Sequence, residues 1–322
     1  MQTRWENETT AGIRIGEITF GNPALKGHTC PIIELSGAEA GPRLCVMAGI
    51  HINEASSIAA AIAIAGDFDP RHFRGTLSII PIVSTHNIFK YTAVSPPSGD
   101  RDLHWSYPGD PLGTFNDCLA DALINEWAAN ADVLVDMHGG DLDERMARYV
   151  VIQSTGDPEF DARAEAAAAC FDTPLVVALH ASAMNEPGRC CTALAARRRI
   201  ALVSEAGDFG MADPDSIAWH RNGIRELAAL LGMTGGDVRE PRAQQYLDQY
   251  EWITSPESGI VEKTFKPGDW IEEGACIGIV TDHYGREKAA IRAPQAGYVM
   301  MQKSLQFAPR GFWIGAVARP RG

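Results

Sequence analysis

The residues of this chain best placed for chemistry are His51 and Glu54 in Gly49-Ile50-His51-Ile52-Asn53-Glu54, and His138 in Val133-Leu134-Val135-Asp136-Met137-His138-Gly139. A histidine and a glutamate three residues apart, leaving a short apolar strand and entering a helix, present an imidazole nitrogen and a carboxylate oxygen to one point. His138 closes a second apolar strand, where Asp136 or a nearby carbonyl can orient its ring. Three ligands of these types leave a fourth position on a zinc ion for water, whose pKa then falls to about 7. Two further stretches belong with them. Leu202-Val203-Ser204-Glu205-Ala206-Gly207 ends an apolar run in a carboxylate, and Arg101-Asp102-Leu103-His104-Trp105-Ser106-Tyr107-Pro108-Gly109 is a polar loop closed by a turn signal. All four segments can meet at one sheet edge, and together they read as a metallohydrolase.

Taken in order, the four segments resemble the succinylglutamate desuccinylase and aspartoacylase family, a branch of the zinc carboxypeptidase-like fold. The family pattern Gly-x-His-Gly-Asn-Glu, then Asn-Leu-Asn-Arg-x-Phe-Pro-Gly, then Asp-Leu-His, then Glu-x-Gly is matched along most of the first two-thirds of the chain. The resemblance implies that His51, Glu54 and His138 hold one zinc ion per chain. It also implies that Glu205 is the general base and acid, taking a proton from the water that attacks an amide carbonyl and delivering one to the leaving amine.

Two departures bear on the substrate. Ile52 stands where the family usually has glycine, adding bulk beside the metal, and the family's Asn-Arg pair appears as His104-Trp105. That arginine grips a substrate carboxylate bidentately in relatives, which neither histidine nor tryptophan reproduces. The acidic-substrate specificity of the relatives is therefore not carried over. Either Arg101, Arg145, Arg148 or Arg189 supplies another anchor, or the recognised end of the substrate is less acidic. Trp105 is either a substrate contact or a packing residue that closes its loop. His104, a candidate oxyanion donor, and Asn53 complete the candidate substrate-binding residues.

The elements that must position these groups alternate. Residues 29–36, 43–49, 76–83, 133–135, 174–179 and 200–203 read as strands, and 55–65 and 116–130 as helices. Asp157-Pro158 and Asp213-Pro214 each place a capping aspartate before a first-turn proline, opening helices through Cys170 and to Leu231. Pro96-Pro97-Ser98-Gly99 marks a loop. Such alternation predicts an α/β fold, a mainly parallel sheet flanked by helices, with chemistry at the carboxyl ends of strands. After Gly235-Gly236 the pattern changes to short strands punctuated by glycine. Ser255-Pro256-Glu257-Ser258-Gly259-Ile260-Val261 is echoed by Ala293-Pro294-Gln295-Ala296-Gly297-Tyr298-Val299. This tail resembles the flattened β-barrel of biotinyl and lipoyl carriers, yet its turn, Val280-Thr281-Asp282-His283-Tyr284-Gly285, has no lysine to modify; Lys288 lies past it. The expected domains are a zinc hydrolase catalytic domain over 1–245 and a smaller all-β, barrel-like domain over 246–322, which contributes shape rather than chemistry.

Composition narrows the function classes. The 322 residues are 45% hydrophobic and 21% charged, a packed globular composition, and the formal net charge of −13 disfavours nucleic acid as a partner. Arg197-Arg198-Arg199 is a brief solvated edge. No apolar run is long enough for a membrane span, and the polar start Met1-Gln2-Thr3-Arg4-Trp5-Glu6 lacks a signal core, so the expected location is cytoplasmic. Seven cysteines without an export signal do not read as a disulfide framework, and Cys190-Cys191 has no assigned role. The expected partner is a small N-acyl substrate; a homo-oligomer is compatible with the sequence. The leading function is a zinc-dependent deacylase of a small N-acylated amino acid or N-acetyl-diamino acid, since an acidic site welcomes a free ammonium. The alternatives are a zinc carboxypeptidase for short peptides and a non-catalytic metal-binding or scaffolding protein.

Overall fold

The structure, a computed structural model, describes residues 1–6, 12–88, 101–185, 187–236, 243–248 and 250–322. Its frame is a ten-stranded mixed sheet built from β1 (Gln2–Trp5), β2 (Ile13–Thr19), β3 (Thr29–Ser36), β4 (Glu39–Ala48), β5 (Arg74–Ile80), β6 (Val133–His138), β8 (Tyr149–Gln153), β9 (Leu175–Leu179), β10 (Ile200–Glu205) and β11 (Gln245–Leu247). The spatial order is β1-β2-β3-β5-β4-β6-β10-β8-β9-β11. β5, β4, β6 and β10 run parallel, and β8 is antiparallel to β10. All of β6 and β10, and residues 44–48 of β4, are buried. Strands covered on both faces have no solvent side to carry polar alternation, which is why they read as apolar runs.

Helices cover both faces. On one side α1 (Ala55–Ala63), α3 (Pro158–Ala168) and α5 (Pro214–Leu230) pack Ala60, Phe160, Ile224 and Leu227 against Val46, Val135 and Leu202. On the other, α2 (Phe115–Ala122) and α4 (Cys190–Ala195) pack Leu119, Ala122, Cys191 and Leu194 against Cys45, Leu134 and Val203. The Asp-Pro starts behave as expected. Asp157 accepts from Glu159 N at 3.0 Å and Asp213 from Ser216 N at 2.8 Å, each with proline in the first turn. The helix expected over 116–130 is α only to Ala122 and continues as a π turn, Leu123–Trp127, that buries Trp127. The short helix α4 and the strands β1, β2 and β8 were not anticipated. β8, like the β1-β2-β3 edge, adds the antiparallel pairs that make the sheet mixed. The Pro96-Pro97-Ser98-Gly99 loop lies outside the described residues.

The C-terminal segment folds into two small antiparallel sheets around Val261, Phe265, Val280, Ile291, Val299 and Val317. The internal echo has a steric cause. Gly259 opens a strand, Gly259–Lys263, and Gly297 opens another, Gly297–Lys303; a Cβ at either glycine would stand 2.3 Å from Thr281 O or 2.2 Å from Ala318 O. The tip at Asp282 is tied by its own side chain, which accepts from Tyr284 N at 2.8 Å and Arg286 N at 3.0 Å. This unit is joined to the catalytic part. β7 (Glu144–Met146) pairs with Gly297–Lys303, and Lys303 Nζ reaches Asp143 at 2.7 Å and Glu144 at 2.9 Å while lying 4.0 Å over the Trp313 ring.

Candidate metal centre and catalytic cleft

The parallel register of the central strands assembles the site. Glu205 pairs with His138 across β10 and β6, and Ala48 pairs with Met137 across β4 and β6, so the three carboxyl ends form one edge. Gly49, at φ +64°, turns the chain out of β4; a Cβ there would meet Ile82 Cα at 2.9 Å, so a side chain is excluded twice over. Glu54 occupies the N-cap of α1 but makes no side-chain capping bond. Its carboxylate is turned to the imidazoles instead: Oε1 lies 2.7 Å from His51 Nδ1 and Oε2 lies 3.0 Å from His138 Nδ1. The far ring nitrogens face carboxylates, His51 Nε2 at 3.1 Å from Asp102 and His138 Nε2 at 3.1 Å from Asp136. Carboxylates behind ligand histidines orient the rings and raise their basicity.

This arrangement fits a divalent cation. Glu54 Oε2 is buried and has no hydrogen-bond partner although His138 Nδ1 is 3.0 Å away, as expected of two atoms that share a cation. His51 Nδ1, a Glu54 oxygen and His138 Nδ1 form the nitrogen and oxygen donor set that zinc takes, and all three residues cluster within ligand reach. Electrostatics agree. Burial works against a charged His51, but Glu54 and Asp102 overcome it and hold the ring well above its usual range. Burial opposes a charged His138 as well, and Asp136 and Glu54 raise it strongly. The site attracts positive charge.

Glu205 stands at the same edge, opposite His138. It is 7% exposed, and Oε2 has no hydrogen-bond partner. Burial, aided by the Glu54 charge and opposed by His138, pushes it up to about 8. The strand end that carries it is braced by His220 of α5. Nδ1 of His220 lies 3.1 Å from Ser204 Oγ and Nε2 lies 3.3 Å from Ala206 O, so the neutral ring accepts from the hydroxyl and donates to the carbonyl. Burial lowers His220 from the usual 6.5 to about 4. Both states are neutral there above pH 6.5, so stability is unaffected; as pH falls toward 4 the unfolded chain takes a proton that the native ring refuses. Wild type is expected to lose up to about 3 kcal/mol relative to His220→Gln across that window, measured by denaturant unfolding at stepped pH. Parallel curves would show that His220 is not held neutral.

The residues expected from the sequence divide. His51, Glu54, His138, His104, Trp105 and Glu205 line one cleft of about 270 Å³. Asn53, Arg101, Arg145 and Arg148 do not line it. Arg101 is exposed, Arg145 pairs with Asp208 at 3.0 Å, and Arg148 lines a separate surface cleft with Asp67 and Trp219. Arg189 is buried behind Trp105, its guanidinium 4.0 Å from that ring, which gives Trp105 a packing role. His104 is buried, and its Nε2 faces the Arg189 Nε–H at 2.9 Å, so that nitrogen is not free to donate to an oxyanion. Burial, with His138 and Arg189 adding, keeps it well below the usual histidine range.

The cleft also has walls that sequence reasoning missed. Asp141, Glu144, Tyr149, Tyr250, Trp252, Met301 and Trp313 contribute, several of them from the C-terminal unit. The lining carboxylates are Glu54, Asp102, Asp141, Glu144 and Glu205, and no lysine or arginine is among the described lining residues. Only Asp102, beside His104 in the polar loop, had a readable signal. The aromatic wall depends on how two distant segments dock.

A family description of the succinylglutamate desuccinylase/aspartoacylase catalytic domain matches residues 40–231, which span Glu54, His138 and Glu205. Over 287 residues, 86% of this chain and 82% of the relative, the sequence is 26% identical to a Halomonas elongata protein described as N-alpha-acetyl-L-2,4-diaminobutyric acid deacetylase. Among solved structures, the product-bound ectoine utilization protein of Ruegeria pomeroyi superposes with a TM-score of 0.82 at 20% identity, covering 98% of each chain. A Rhodobacter sphaeroides succinylglutamate desuccinylase/aspartoacylase gives 0.80 at 23% identity, covering 96% of each. The match over more than half the chain therefore places it in the succinylglutamate desuccinylase/aspartoacylase family.

Proposed function

We propose that this chain is a zinc-dependent amidohydrolase that removes the acyl group from a small N-acylated amino acid, with N-acetyl-diamino acids as the favoured class. The observation that carries the reading is the unpaired, buried Glu205 carboxylate beside the converging donors of His51, Glu54 and His138. A bound zinc would polarise the amide carbonyl and make water a stronger acid. The chain supplies the rest. Glu205 takes a proton from water as its oxygen bonds to the carbonyl carbon, then returns a proton to the nitrogen as the C–N bond breaks, leaving a carboxylate and a free amine. Asp102 and Asp136 hold the histidine rings in place through both steps.

Charge selects the substrate class. A cleft lined by carboxylates, with no lysine or arginine among its described lining residues, favours a substrate that carries a free ammonium and disfavours an extra carboxylate. That is the chemistry of the diaminobutyrate derivative named for the Halomonas relative. The test is amine release from N-acetyl-diamino acids, neutral N-acetyl amino acids, N-succinyl amino acids and dipeptides, before and after chelation. The ammonium substrates are expected to exceed their neutral counterparts by about 10- to 100-fold in kcat/KM, the worth of a charged hydrogen bond. Preference for dipeptides would favour the peptidase, and activity that survives full metal removal would sink the zinc mechanism.

A further inference from the structure

Arg189 caps α4 at its N-terminus and is 3% exposed. Its partners are neutral: Nε donates to His104 Nε2 at 2.9 Å, an Nη donates to the Tyr250 hydroxyl at 2.7 Å, and the guanidinium lies over Trp105. An arginine can only donate, so His104 Nε2 must accept, and the ring proton sits on Nδ1. That Nδ1 is buried without a hydrogen-bond partner and lies 4.0 Å from Asp136 Oδ2. The other oxygen of the same carboxylate is 3.1 Å from His138 Nε2, an ion-pair separation without an aligned hydrogen bond. Cys190, the residue after Arg189, adds its thiol 3.7 Å from Asp136 Oδ2.

We propose that His104 is a positioning residue for the metal ligand His138: Arg189 sets its tautomer, and its Nδ1–H is aimed at Asp136, which keeps the His138 ring turned toward Glu54. At 4.0 Å this N–H acts on Asp136 electrostatically rather than as a short hydrogen bond. The chain of contacts runs from Tyr250, at the start of the C-terminal unit, through Arg189, His104 and Asp136 to His138. Docking of that unit is thereby coupled to metal retention. The inference rests on the zinc reading above, and its test separates the two.

Zinc affinity is measured on the full chain by competition with a chromophoric chelator. His104→Leu is expected to weaken zinc by about 10- to 100-fold, the usual cost of losing support behind a ligand histidine. His104→Gln, whose carbonyl can accept from Arg189 while its amide donates to Asp136, should recover most of the loss. Arg189→Lys keeps the charge without the planar fork; it should weaken zinc in the same direction and add little on top of His104→Leu. A folded His104→Leu with wild-type zinc affinity, or a glutamine variant no better than leucine, overturns the inference. If the leucine variant does not fold, unchanged affinity in Arg189→Lys does the same. Zinc binding that is lost in His51→Ala but unmoved by these variants would leave the amidohydrolase reading standing; no zinc binding by wild type would remove both.

Discussion

Glutamine at position 205 is expected to lower kcat by about 10²- to 10⁴-fold, the range for a general acid-base group, while zinc content and fold stay intact. The amide fills the same volume but cannot take the proton. Because Glu205 is held up at about 8 by burial, its ionisation governs an acid limb: kcat/KM of wild type rises with pH as the carboxylate forms, and a cation bound nearby moves that rise lower. The Gln variant should lack this limb. Linkage gives an independent check on the metal-free protein. A carboxyl raised from 4.5 to about 8 destabilises the native state progressively as pH climbs through that window, since the unfolded chain ionises first. Glu205→Gln should therefore stabilise the metal-free chain, with a gain that opens above pH 4.5. Unchanged turnover would remove Glu205 from the reaction; a pH-independent stability difference would show that its carboxyl is not held protonated.

Alanine at His138 is expected to empty the metal centre. His138 Nδ1 lies 3.0 Å from Glu54 and Nε2 lies 3.1 Å from Asp136, and all three residues are buried. Removing the ring deletes a ligand and leaves two buried carboxylates without their shared partner. Breaking a buried ionic contact from one side costs about 3–5 kcal/mol, so the thermal midpoint at neutral pH should fall together with zinc content. His51→Ala and Glu54→Ala should lose zinc as well. Elemental analysis after dialysis, paired with thermal unfolding, reads both effects. Retention of about one zinc per chain by His138→Ala would overturn the ligand assignment.

Much of the candidate site is legible in the sequence. His51, Glu54, His138 and Glu205 could be found because each closes or follows a buried strand, and a strand covered on both faces leaves an apolar run that ends abruptly at a polar group. The Asp157-Pro158 and Asp213-Pro214 caps were legible for a similarly local reason: a capping side chain bonds within its own first turn. What surrounds the site was not. Nothing near Arg189 in the chain says that it meets His104, or that Trp105 lies under its guanidinium, because the first contact crosses 85 positions and the second one fewer. Arg145 and Arg148 looked equally suited to hold a substrate until packing turned one to Asp208 and the other to a separate cleft. The acidic and aromatic walls come from Asp141, Glu144, Trp252 and Trp313, brought together when β7 joins the C-terminal sheet. Local sequence determined which groups can do the chemistry, since strand ends and caps are set by near neighbours. Tertiary structure alone decided the charge and shape of the cleft, because those depend on contacts between segments whose order in the chain carries no record of their meeting.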